Sequence, residues 1–197
     1  MKQKRKIYYL ETSELTGLFK AIKSTGNTRD LVMFKLVYHL GLRISEAVNI
    51  ELTDLHEKLE RVTIRGVKNG LTSAHAIING DQILLRRWLK VRTTMANAAS
   101  NPYLFITNKC GSGKMQRNTI QKAFARYAAM ANIPRVKHFP HTLRHSTAIS
   151  LLQNGATILD VKERLRHQCL SSTACYLGLS DNLRLEREKL FNEKFTI

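Results

Sequence analysis

The sequence predicts a mainly α domain with one small antiparallel β-sheet, an α+β arrangement. Three observations carry this. Apolar residues recur at three- and four-residue spacing over most of the chain, as in helices buried on one face. Only the stretch from Arg61 to Ile78 changes to short apolar runs around an Asn69-Gly70 pair, a tight-turn signal. The 197 residues, 43% of them hydrophobic, are enough for one folded domain with a sizeable core and at most a small appendage.

Taken in order, residues 1–8 form a basic tail containing Lys2, Lys4, Arg5 and Lys6. A first helix runs from about Ser13 to Lys23, with Leu15, Leu18, Phe19 and Ile22 on one face, and Gly26-Asn27 breaks it. A strongly apolar helix from about Thr28 to Leu40 stops at Gly41. A short helix follows from Ser45 to Ile50. Val62 and Ile64 mark one strand and Ala76, Ile77 and Ile78 a second, with Lys68 at the tip of the hairpin between them. Asn79 or Asp81 starts a helix through Ile83, Leu84, Trp88 and Leu89, and Pro102 opens a short strand from Tyr103 to Thr107. Cys110 to Lys114 reads as a loop and lacks the GxxxxGK[ST] pattern of a phosphate-binding loop. Helices are then expected at about Arg117–Ala131, Thr142–Gln153, Thr157–Leu165, Ser171–Leu177 and Asp181–Asn192. Thr157 with Asp160 forms a capping box after the Asn154-Gly155 stop. No internal repeat or linker interrupts residues 1–197, so one domain is expected.

The formal net charge is +17, from 32 Lys and Arg against 15 Asp and Glu. Such a field attracts polyanions, although composition alone does not separate DNA from RNA or anionic lipid. The charge is spread through segments that read as folded. No apolar run is long enough to cross a membrane, and Ile7-Tyr8-Tyr9-Leu10 is too short for the core of a signal peptide, so a cytoplasmic protein is expected. Cys110, Cys169 and Cys175 are an odd number without a CxxC pair, which argues against a disulfide framework or a cysteine-rich zinc site. His138, His141 and His145 have a spacing that could suggest a metal, but there is no HExxH and no carboxylate cluster beside them. No metal and no cofactor are expected.

Three segments carry candidate chemistry. In Leu40-Gly41-Leu42-Arg43-Ile44-Ser45-Glu46 an arginine sits at a helix junction with Glu46 placed to reach back to it; alone, this favours an ordinary surface arginine capped by a carboxylate. In His141-Thr142-Leu143-Arg144-His145, residues 141, 144 and 145 share a helical face, and two imidazoles with a bidentate guanidinium suit a phosphate. A polar helix face beside the core residues Leu143, Ala148, Leu151 and Leu152 would look the same. In Leu165-Arg166-His167-Gln168, followed by Tyr176, a short helix could return the tyrosine to the histidine nine residues before it (176 − 167 = 9).

Taken together, these segments resemble the tyrosine recombinase (phage integrase) family: an arginine in a GLRxSE context, a lysine in a β-hairpin, HxLRH, then histidine and tyrosine nine residues apart. The resemblance runs from about Tyr9 to Leu179. It implies the tyrosine recombinase catalytic-domain fold and a site-specific recombinase or integrase that cuts and rejoins DNA through a 3′-phosphotyrosine. The implied catalytic set is Arg43, Lys68, His141, Arg144, His167 and Tyr176, with Glu46 and His145 supporting. The implied partner is double-stranded DNA, bound by a homotetramer formed from free monomers, with residues 181–197 docking in trans as a C-terminal helical segment. Lys2, Lys4, Arg5, Lys6 and Arg166 are candidate DNA contacts. Two departures stand out. The family usually has glycine where this chain has Arg166, and the chain has no room for the N-terminal helical domain with which longer members clamp DNA. In that respect it is similar to the short recombinases of the fimbrial-switch type, or to an isolated catalytic domain. The alternatives are a type IB topoisomerase-like relaxase and a catalytically inactive DNA-binding regulator of a partner recombinase.

These residue types suit phosphodiester cleavage in their own right. A phenol with a reference pKa of about 10 needs a base or a strong electrostatic partner before it attacks. Arg43, Arg144 and His167 supply positive or donating groups where charge develops. His141 can take the phenolic proton or hold the phosphate, and Lys68 can protonate the departing oxygen.

Overall fold

The computed structural model describes residues 6–66, 71–107 and 113–177. Its helices are α1 (Thr12–Ser24), α2 (Thr28–His39), α3 (Ile44–Ala47), α4 (Asn79–Thr93), α5 (Arg117–Met130), α6 (His141–Gln153), α7 (Ile158–Leu165) and α8 (Ser171–Ala174). Two strands, β1 (Arg61–Ile64) and β2 (Ser73–Ala76), pair antiparallel from Arg61 opposite Ala76 to Ile64 opposite Ser73. The chain is thus mainly helical with a small antiparallel sheet, as its sequence implies.

Helix α2 is the spine. Leu31, Val32, Met33, Phe34, Leu36 and Val37 are all buried, so it presents apolar surface nearly all round and takes α1, α4 and α6 against different sides. Phe34 meets Phe124 and Tyr127 of α5 edge to face, with centroids 5.4 and 6.2 Å away. Full burial of each such side chain stabilises the fold by about 1.5–3 kcal/mol. A second, smaller cluster joins Ala148, Ile149 and Leu152 of α6 to Val161 and Leu165 of α7 and to Tyr176, with Ile7 and Tyr9 packed on it.

Helix ends obey the local chemistry. Asn27 caps α2 by accepting from the Asp30 N–H at 3.0 Å. At α7 the Thr157 N–H donates to Asp160 Oδ2 at 2.6 Å and the Asp160 N–H to Thr157 Oγ1 at 3.2 Å, the expected capping box.

Several boundaries differ from expectation. The second strand lies earlier than predicted, because the register with β1 ends at Ala76; Ile77 is buried beyond it and Ile78 is exposed before α4. Eight residues, 65–72, therefore join the strands. The Asn69-Gly70 turn signal and Lys68 lie outside the described residues. The stretch Tyr103–Thr107 forms no strand. Leu104, Phe105 and Ile106 are consecutive and fully buried, so no face alternates with solvent, and the segment makes only single bridges, Tyr103 to Glu51 and Ile106 to Lys114. In α4 the buried face is Asp81, Leu85, Trp88 and Arg92, while Ile83 is 51% exposed. The buried Arg92 escaped the sequence reading because its guanidinium satisfies the carbonyls of Ala98, Asn101 and Tyr103. The helices expected near residues 45–50 and 171–177 are shorter, Ile44–Ala47 and Ser171–Ala174. The expected helix from Asp181 to Asn192 lies outside the described residues. No helix among them is long and apolar enough to cross a membrane.

Candidate active site

The site begins at the end of α2. Gly41 has φ +59°, and a Cβ there would stand 2.6 Å from Leu165 Cδ2 and 3.4 Å from Thr147 Cγ2. Glycine is therefore favoured both by its conformation and by the close approach of Leu165 and Thr147. This contact brings together the sequence segments around residues 41, 144 and 166, which lie far apart in the chain.

Directly after the turn, Arg43 precedes α3. Its backbone N–H donates to Glu46 Oε2 at 2.8 Å and its Nη1 to Glu46 Oε1 at 2.8 Å, so the carboxylate reaches back as the sequence suggests. The Glu46 side chain is buried, whereas that of Arg43 is 37% exposed. Arg144, in the first turn of α6, is 1% exposed. Its Nη1 donates to the Gly41 carbonyl and its Nη2 to the Leu165 carbonyl, and Nη1 lies 3.7 Å from Glu46 Oε2. Burial first, then Arg43, pushes Arg144 down to about 9, which still leaves it a cation at neutral pH. Burial alone would raise Glu46; Arg166, the Arg43 N–H and Arg144 outweigh it and hold the carboxyl below its usual range.

The imidazoles and the phenol form the other half. The rings of His141 and His145, one helical turn apart, meet edge to face at 4.4 Å. His145 Nδ1 lies 2.7 Å from the Tyr176 hydroxyl. Burial, followed by the neighbouring His141, Arg144 and His167, pushes His145 down to about 4. Tyr176 is 2% exposed, and burial pushes its phenol up to about 12 against the pull of Arg144 and Arg43. At neutral pH both groups are therefore uncharged, and the direction of their hydrogen bond follows the His145 tautomer. His167 Nδ1 lies 2.9 Å from Thr173 Oγ1, and burial with Arg144, Arg43 and Arg166 nearby pushes this histidine down to about 4. The nine-residue spacing follows from this contact. Thr173, on α8, anchors the helix to His167, and the Tyr176 N–H donates to the Thr173 carbonyl at 3.0 Å.

The structure thus brings Arg43, Glu46, Arg144, His141, His145, His167 and Tyr176 into one neighbourhood. The histidine that meets the tyrosine is His145; His141, expected to take the phenolic proton or hold the phosphate, is exposed and meets the His145 ring. Arg166 needs a correction. As a candidate DNA contact it should be at the surface, yet it is 2% exposed. It adopts the left-handed conformation at φ 54°, ψ 43°, which turns its side chain inward onto Glu46, with Nη2 2.9 Å from Oε2. His75 of β2 was not singled out in the sequence, where one histidine in a short strand carries no signal; its Nε2 accepts from Arg166 Nη1 at 3.0 Å. Lys6 is exposed, with its Nζ 5.5 Å from the Tyr8 ring centre. Lys2, Lys4, Arg5 and Lys68 lie outside the described residues.

The model of the phage integrase family matches residues 8–182. The chain is 31% identical over 189 residues to tyrosine recombinase XerD of Staphylococcus saprophyticus, covering 93% of this chain but 61% of that protein. It is 28% identical over 192 residues to the type 1 fimbriae regulatory protein FimE of Escherichia coli K12, covering 94% of both. Among solved structures, XerA recombinase superposes with a TM-score of 0.80 at 25% identity, over 96% of this chain and 65% of XerA. XerH site-specific recombinase, in a post-cleavage complex with its difH substrate, shares the fold with a TM-score of 0.79 at 23% identity, over 94% of this chain and 53% of XerH.

Proposed function

This chain belongs to the phage integrase family, and we propose that it is a site-specific recombinase that cuts and rejoins double-stranded DNA through a 3′-phosphotyrosyl intermediate on Tyr176. The observation that carries the proposal is the placement of the Tyr176 hydroxyl on His145, within the field of Arg144 and Arg43. A phenol held beside a neutral imidazole and two guanidiniums has both a proton acceptor and groups that stabilise its anion.

In the proposed reaction the Tyr176 oxygen attacks the scissile phosphorus and the bond to the 5′-oxygen breaks. Its proton passes to His145 or, once DNA rearranges the site, to another neutral imidazole. Arg43, the more exposed arginine, and those of the five N–H groups of Arg144 not bound to carbonyls donate to the non-bridging oxygens. His167, anchored by Thr173, donates from its other ring nitrogen. The phosphodiester bond energy is kept in the phosphotyrosyl ester, so attack by a 5′-hydroxyl reverses the step without a nucleotide cofactor.

The chain acts as one catalytic domain over residues 1–197. Four copies assemble on two duplexes, the segment 181–197 of each docks on a neighbour, and the basic residues Lys2, Lys4, Arg5 and Lys6 follow the DNA backbone. Lys68 delivers the proton to the departing 5′-oxygen. A Lys68→Ala variant is expected to lose cleavage of ordinary DNA and to recover it on a duplex with a 5′-bridging sulfur, whose leaving group needs no acid. Cleavage rates on the two substrates test this; failure to recover assigns Lys68 to phosphate binding instead.

A further inference from the structure

One buried cation is not used by the chemistry above. Arg166 has a left-handed backbone, and its guanidinium contacts three separate segments. Nη1 donates to the Leu40 carbonyl at 3.2 Å, to the Arg164 carbonyl at 3.0 Å and to His75 Nε2 at 3.0 Å. Nη2 donates to the Gly41 carbonyl at 3.1 Å and to Glu46 Oε2 at 2.9 Å. The Nε–H has no partner. Two of these acceptors are shared with the arginines of the site: Arg144 also donates to the Gly41 carbonyl, and Arg43 is held by both oxygens of Glu46.

We propose that Arg166 is a positioning residue, fixing Arg43 and Arg144 through the Glu46 carboxylate and Gly41 carbonyl it shares with them, and tying strand β2 to that cluster through His75. The proposal rests on the assignment of Arg43 and Arg144 to phosphate stabilisation.

The chemistry explains why a cation suits this place. Glu46 is buried and must serve two site arginines at once, and an ionised carboxylate there needs compensating donors. Arg166 supplies a charged donor to Glu46 Oε2, while the Arg43 guanidinium holds Oε1. It also spans α7 and the turn after α2, so rotation of either would break its fork. His75 accepts on Nε2 from Arg166 and lies 2.7 Å from Ser73 Oγ on the same nitrogen, so it must be neutral there. Burial, with Arg166 and Arg164, pushes it down to about 4, consistent with that role.

The left-handed backbone offers a clean probe, because glycine takes this conformation without strain. In Arg166→Gly, cleavage at saturating DNA should fall by at least about ten-fold while the dissociation constant for DNA moves by less than about two-fold. Arg166→Lys, which keeps the charge but not the fork, should fall between the glycine variant and the parent. Guanidinium at concentrations far below those that unfold proteins should restore cleavage to the glycine variant, relative to equal sodium chloride. A second readout needs no DNA. The ionised Glu46 faces Arg43, Arg144 and Arg166, with His75 one contact further. Removing Arg166 should raise the carboxyl titration of Glu46, followed by carbon NMR, and move the acid limb of cleavage to higher pH. Added guanidinium should reverse both. A folded glycine variant that cleaves within about two-fold of the parent, or a Glu46 titration that does not move, overturns the proposal. A lysine variant as slow as glycine and a lack of guanidinium rescue also count against it. If the parent forms no covalent adduct on any duplex, the proposed function fails, and the Glu46 titration alone then decides the role of Arg166.

Discussion

Tyr176→Phe is expected to abolish covalent attachment to DNA while leaving non-covalent binding within about two-fold of the parent. The substitution removes one oxygen. That oxygen is the proposed nucleophile, and its contact with His145 is a single hydrogen bond of 2.7 Å. Losing such a bond costs about 1 kcal/mol of stability, so the variant should remain folded. The ring keeps its place in the cluster with Ala148, Ile149, Leu152, Val161 and Leu165. On a denaturing gel with a duplex carrying the target site, the parent should give a slow-moving protein–DNA band and the variant none. A band of undiminished intensity from the variant would move the nucleophile elsewhere.

Arg43→Ala and Arg144→Ala should each lose cleavage by at least about a hundred-fold, but with different effects on the fold. The side chain of Arg43 is 37% exposed and its ion pair with Glu46 is partly screened by water. Its loss should leave the midpoint of thermal unfolding nearly unchanged. Arg144 is buried, and its fork satisfies the carbonyls of Gly41 and Leu165. Removing it strands the Leu165 carbonyl, leaves the Gly41 carbonyl to Arg166 alone and leaves Glu46 to two arginines, at a cost of about 3–5 kcal/mol. Cleavage rate and unfolding midpoint measured together separate the cases. If Arg43→Ala cleaves at the parental rate, that arginine is an ordinary surface residue. If Arg144→Ala loses stability but not the rate of its folded fraction, Arg144 is structural only.

Much of this was legible because local chemistry and tertiary structure agree. The glycine at residue 41 marks both the helix stop and a close approach to Leu165 and Thr147, and the Glu46 contact to Arg43 follows from a three-residue spacing across the start of one short helix. The interval from His167 to Tyr176 encodes a turn of helix pinned by Thr173. What escaped depends on tertiary placement. Arg166 reads as a solvent-facing cation in a basic chain, yet at the left-handed end of α7 its guanidinium lies on Glu46. Its partner His75 comes from a strand 91 residues earlier. The neighbour of the phenol is His145 rather than His141 because α8 brings Tyr176 in further along α6, a matter of helix packing that a shared helical face does not specify. Likewise Leu104-Phe105-Ile106 has the composition of a strand, but the segment is buried with isolated bridges to Glu51 and Lys114 instead of a continuous ladder.

The central claim is that Tyr176 becomes joined to a 3′-phosphate of DNA. The most direct measurement is mass spectrometry of the adduct formed with DNA from the protein's own genetic neighbourhood, after nuclease trimming and proteolysis. The account predicts one modified peptide, carrying a nucleotide through its 3′-phosphate on Tyr176, and a free 5′-hydroxyl on the other DNA end. A nucleotide on any other residue, a 5′-phosphate linkage, or strand cleavage with no covalent protein–DNA species would contradict it.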